Sequence, residues 1–193
     1  MARFYAACLA SYNNGILHGA WIDASTDVDE MQDAINAMLR ASRFPNVTVE
    51  HDGKRVPSAE EWAMHDKDGD ELDGLGEYCG LQAIANRIEL AELAESELGD
   101  DGMEIVNAFY DRWGQCDDAP ADMIERVRDA YQGTFRDLEA WADDYWESSG
   151  MYDGIPEHAR AYVDVERWAR DAEMGGDIFT ADVSGGLAIF SNH

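Results

Sequence analysis

The chain has 193 residues, 41 Asp and Glu against 14 Lys and Arg, a formal net charge of -27 and a sequence pI near 4.2. A phosphate backbone or an anionic membrane surface is bound by clustered cations, so nucleic acid and membrane are both excluded as partners. A hydrophobic fraction of 46%, with six Trp, eight Tyr and six Phe, is too aromatic for a disordered chain and predicts a buried core, or several small ones.

Phe4–Ala10 is an apolar run that reads as a first strand. It is too short and too close to Met1 for an ordinary signal peptide, and no run approaches the roughly 20 apolar residues of a membrane span. The expected location is cytoplasmic. Asn13-Asn14-Gly15 is turn chemistry tolerant of positive φ, and Ile16–Ile22 is the returning strand. Asp27 with Glu30 three residues on forms a capping-box variant, followed by Val28, Met31, Ile35 and Met38 at helical spacing. Phe44-Pro45-Asn46 breaks that helix, and Val47–Val49 is a third strand. Residues 1–61 thus read as a small strand–strand–helix–strand domain.

The pattern then turns helical. Ser58-Ala59-Glu60-Glu61 reads as a capping box that opens a short helix through Trp62 and His65. Asp66–Gly76 is a loop, Tyr78–Leu98 a helix with Leu81, Ile84, Ile88 and Ala91 on one side, and Met103–Trp113 another, ended by Gly114. Residues 62–118 make a second, helical and acidic domain. The third, 119–193, opens with a helix from about Ala121 to Glu147, its stripe Ile124, Val127, Tyr131, Phe135, Leu138, Trp141 and Tyr145, with Gly133 as a kink. Pro156 begins a further helix through Arg170. Ile178–Val183 and Leu187–Phe190 flank Ser184-Gly185-Gly186 as a terminal hairpin. The fold class is α+β.

No catalytic or metal signature stands out. Cys8, Cys79 and Cys116 are widely spaced, with no Cys-x-x-Cys pair, and read as small buried or half-buried apolar residues. The five histidines show no ligand spacing. Asp66, Asp68, Asp70 and Glu77 match positions 1, 3, 5 and 12 of a calcium loop, but Glu71 stands where the loop needs a glycine to turn. The expectation is a protein with no cofactor, no bound metal and no catalysis.

Charge is the positive signal. Residues 1–60 carry 8 acids and 5 bases, residues 61–193 carry 33 acids and 9 bases. The candidate surface is Glu89, Glu92, Glu95, Glu97, Asp100, Asp101, Glu104, Asp111, Asp117, Asp118, Asp122, Glu125, Asp129, Asp137, Glu139, Asp143, Asp144 and Glu147. Many of these stand one helical turn apart, where like charges repel mildly. Carboxylates about 5–6 Å apart on helix faces resemble the charge lattice of a nucleic acid. Duplex DNA carries one charge per about 1.7 Å, so -27 corresponds to roughly 46 Å of duplex, about 14 base pairs.

Ala7-Cys8-Leu9-Ala10-Ser11-Tyr12-Asn13-Asn14-Gly15, His18-Gly19 and Trp21-Ile22-Asp23-Ala24 resemble the opening of the ArdA antirestriction proteins. Ala59–Asp66 resembles their second block. Tyr131-x-Gly133-x-Phe135, Tyr162-Val163-Asp164 and Ala169-Arg170-Asp171 resemble their last third. The resemblance implies an elongated homodimer of three-domain chains that mimics bent B-form DNA. It also implies occupancy of the DNA groove of a type I restriction–modification enzyme's methyltransferase core, and carriage on mobile genetic elements. Composition alone implies a polyanion. A dimer interface is expected at Trp141, Tyr145, Trp146 and Trp168. The runner-up reading is an acidic adaptor or chaperone that shields a basic DNA-binding protein.

Overall fold

The structure is a computed structural model that describes residues 2–43, 48–51, 54–57, 61–114 and 118–192, with backbone alone for 48–51 and 54–57. It is mixed α+β and divides into two compact units, Met1–Glu92 and Leu93–His193.

The first unit is built on β1 (Arg3–Cys8), whose alternate residues Phe4, Ala6 and Cys8 are fully buried. β1 is the centre of an antiparallel sheet, flanked by β2 (Gly19–Asp23) and β5 (Trp62–Asp68). The strand ends two residues earlier than expected. Leu9–Tyr12 turns instead into a short helix, α1, and the chain reverses at Asn13–Gly15 with Gly15 at φ 72. α2 (Val28–Arg40) starts where the capping signal put it: the Asp27 carboxylate accepts from the backbone N–H groups of Asp29 and Glu30. Met31, Ile35, Met38 and Leu39 bury its apolar stripe against the sheet. The first turns of α3 (Leu81–Leu98) close the same core with Leu81, Ile84, Ala85 and Ile88. Val47–Val49 was expected as a strand; β3 (Thr48–His51) is one, paired antiparallel with β4 (Lys54–Pro57). The expected break at Phe44-Pro45-Asn46 lies outside the described residues, as does Cys116.

The helix expected through Trp62 and His65 is a strand. Ala63 and Met64 are buried, and β5 fills the edge of β1 that β2 leaves free, so ladder pairing outweighs the local helical signal. Of that capping box, 58–60 lie outside the described residues. The pairing also ties 62–68 to the first unit. In the acidic loop, Asp66 and Asp68 extend along β5, and the Arg3 guanidinium holds Asp68 at 2.9 Å. His65 meets Glu77 at 3.5 Å.

The second unit centres on the sheet β6-β8-β7, made of β6 (Tyr131–Phe135), β7 (Ile178–Val183) and β8 (Gly186–Ser191). β7 and β8 are the expected terminal hairpin. Both faces of the sheet are covered. On one, Phe179 and Phe190 stack at 4.6 Å and meet Phe109 of α4 (Gly102–Trp113). On the other, Ile178 and Ile189 join Trp141, Ala142, Ala169 and Ala172.

The expected single helix from Ala121 to Glu147 is three elements: α5 (Pro120–Ala130), β6, and α6 (Leu138–Ser148). Tyr131 and Phe135 fit a helical step of four, but they fit an alternating strand equally. Gly133 sits at φ 130, which a residue with a Cβ rarely adopts, and the ladder to β8 decides for the strand. The helix expected from Pro156 to Arg170 is likewise two. α7 (Glu157–Arg160) stops, and α8 (Val165–Gly175) restarts under an Asp164 cap that accepts from Arg167 N–H.

Candidate functional site: the acidic surface

Each acidic helix has one buried and one charged side, and the three- and four-residue spacing of its apolar residues sets which is which. In α3, Ile84, Ile88 and Ala94 are buried, which turns Glu89, Glu92, Glu95 and Glu97 to solvent. In α4, Ile105, Val106 and Phe109 are buried, while Glu104 and Asp111 are exposed. In α5, Ile124 and Val127 are buried and Asp122, Glu125 and Asp129 exposed. In α6, Trp141 and Ala142 are buried and Glu139, Asp143, Asp144 and Glu147 exposed. Asp100 is exposed between α3 and α4; Asp101, Asp118 and Asp137 are half-buried. Asp117 lies outside the described residues.

These carboxylates are not equivalent. Some are held within the protein. Arg128 reaches Glu97 at 3.6 Å and Arg126 reaches Asp118 at 2.8 Å. Asp137 caps α6 through Ala140 N–H at 2.8 Å and pairs with Arg136 at 2.6 Å. The Arg136 hydrogen bond, with that of Ala140, holds its carboxyl below the usual range. Glu104 accepts two hydrogen bonds from Ser184, and they depress its carboxyl in the same way. Others have no cation within ion-pair distance among the described residues: Glu89, Glu92, Glu95, Asp100, Asp111, Asp122, Glu125, Asp129, Asp143, Asp144 and Glu147.

α6 carries the densest run of them. Glu139, Asp143 and Glu147, at successive turns, line one side of an open groove of about 390 Å³. Tyr152, Arg160, Val163 and Val165 line much of the remainder. Arg160 sits 5.4 Å over the Tyr152 ring and donates to the carbonyls of Ile155 and Tyr152, so that cation is turned toward its own loop.

The aromatic residues expected at a dimer interface form a cluster of their own. Trp141 and Tyr145 both stack on Trp168 at 5.4 Å, and Trp146 meets Trp168 edge-on at 5.8 Å. Trp141 is 2% exposed in the single chain and donates its indole N–H to Gln132. Trp146 and Trp168 are half-buried in the same core, and Tyr145 alone is exposed, at 36%.

The sequence matches the family of antirestriction proteins (ArdA) over residues 4–185. The chain belongs to the ArdA antirestriction family. Comparison with curated proteins returned no match. Membership makes this chain one of a family of inhibitors whose action is on restriction enzymes. Among the described residues no group of His, Cys, Asp and Glu could hold a metal ion, and no helix is long and apolar enough to cross a membrane.

The second unit exposes further carboxylates that the helical charge runs of the sequence did not single out: Asp153, Glu157, Glu166, Asp171, Glu173, Asp177 and Asp182. Those on α8 are partly neutralised at helical spacing: Arg170 pairs with Glu166, and Arg167 approaches Asp171 at 4.0 Å. That i to i+4 spacing was readable in the sequence.

Proposed function

We propose that this chain is a DNA mimic that binds the DNA groove of a type I restriction–modification enzyme and inhibits it stoichiometrically. The observation that carries the reading is the set of exposed carboxylates on α3, α4, α5 and α6 that are unpaired among the described residues, in a chain of the antirestriction family. A basic groove built for phosphates attracts such a surface without any sequence readout. The net charge of -27 is the equivalent of about 14 base pairs of duplex. An enzyme that reads a split site covers more, which favours a homodimer as the inhibiting species. Tyr145, the exposed member of the aromatic cluster, is the place at which we seek the contact, with Trp146 and Trp168 behind it.

Titration of a purified type I enzyme, with light scattering on the same samples, tests this. Inhibition is expected to saturate at a fixed ratio of chain to enzyme, with a particle of twice 21.5 kDa. Inhibition by trace amounts against excess enzyme would mean catalysis, and full potency from a 21.5 kDa monomer would remove the dimer.

A further inference from the structure

Ser184 and Glu104 are 80 positions apart and bound at both carboxylate oxygens. The Ser184 backbone N–H donates to Glu104 Oε2 and its hydroxyl to Oε1, each at 2.6 Å. Ser184 is in the tip of the β7–β8 hairpin; Glu104 is in the first turn of α4. The two glycines that follow are fitted to this contact. A Cβ on Gly185 would lie 2.5 Å from Asp101 Oδ2, and one on Gly186, at φ 136, would overlap the Phe135 carbonyl oxygen. Ser184-Gly185-Gly186 therefore sits between the start of α4 and the end of β6.

We propose that Glu104 is a positioning residue, a clasp that fixes the terminal hairpin on α4, and not one of the phosphate-like carboxylates. A carboxylate accepting two hydrogen bonds makes a charge-assisted pair, stronger than a neutral one. Each of its oxygens already accepts one bond from the protein's own donors. β8 is the middle strand of its sheet, and its Ile189 packs in one core with Trp141 of α6, the helix that carries Asp143, Asp144 and Glu147. The clasp thus acts on the acidic surface through the sheet beneath it. The part of this inference that concerns inhibition rests on the proposed mimicry; the part that concerns the hairpin does not.

The test is amide hydrogen exchange on the full chain for Glu104→Ala, Ser184→Ala, the double variant and Glu125→Ala as a control. Glu104→Ala is expected to speed exchange across 178–191 by about three- to tenfold. Ser184→Ala, which keeps the backbone bond, gives a smaller increase and a milder variant. The double variant is expected to match Glu104→Ala, and Glu125→Ala to leave the hairpin unchanged. Unaltered hairpin exchange in Glu104→Ala overturns the clasp. Salt dependence of inhibition is the second readout. Glu104→Ala is expected to alter its slope no more than Ser184→Ala, which removes no charge. A flattened slope with an unaltered hairpin would make Glu104 a phosphate mimic after all. If no variant's inhibition responds to salt, the mimicry itself fails, while the exchange result still decides the clasp.

Discussion

One carboxylate differs from the next in this protein by what already holds it. Asp27, Asp137 and Asp164 cap helices, Glu97 and Asp118 face arginines, and Glu104 grips a turn. Glu92, Asp122, Glu125, Asp129, Asp143 and Asp144 are exposed and unpaired among the described residues. Each unpaired acid acts in high dielectric, where one contact is worth about 1 kcal/mol or less. Glu92→Gln or Asp144→Asn alone is therefore expected to leave inhibition nearly intact. Neutralising about ten unpaired acids together is expected to weaken inhibition progressively and flatten its salt dependence, as the loss of phosphate contacts does for DNA. A titration of each variant against enzyme at several salt concentrations checks this. A single neutralisation that abolishes inhibition in a folded protein would contradict the distributed mechanism. The exposure of these acids was legible from the apolar spacing of their helices. Their engagement was not. Ser184 lies 80 residues from Glu104, and Asp137 was hidden as a cap by the expectation of an unbroken helix across it.

At the scale of elements, the second unit hangs on β8, whose Phe190 is fully buried. It stacks on Phe179 at 4.6 Å and also meets Phe109 and Tyr131. Truncating a buried Phe removes its transfer energy and leaves a cavity, so Phe190→Ala is expected to cost about 3–5 kcal/mol in denaturant unfolding of the full chain. A cost below about 1 kcal/mol would show that the sheet is not the centre of this core. The terminal hairpin, α2 with its Asp27 cap, and α4 with its Gly114 stop were readable, because turn, cap and period agree there. β5 and β6 were not. Both gain their stability from a distant strand: Trp62–Asp68 from β1, Tyr131–Phe135 from β8. Local signals carry no trace of such pairing. The stripe Tyr131, Phe135, Leu138 keeps helical steps through a segment whose alternation, with Gly133 at positive φ, makes a strand.

For the whole molecule, inhibition by mimicry depends on charge being offered to a groove shaped for duplex DNA. The two units contribute unequally: residues 93–193 hold 24 acids and 7 bases, and residues 1–92 hold 17 acids and 7 bases. Family membership places the action on restriction enzymes; the proposed mimicry would give it a physical cause. An acidic shield for a basic DNA-binding protein would carry similar charge but a different target. Competition between the full chain and duplex DNA for a purified type I methyltransferase core separates the two most directly. Mimicry predicts mutually exclusive binding, with the chain displacing DNA at a fixed stoichiometry and both affinities falling as salt rises. A ternary complex of enzyme, DNA and chain, or no binding to the core at low salt, would contradict it.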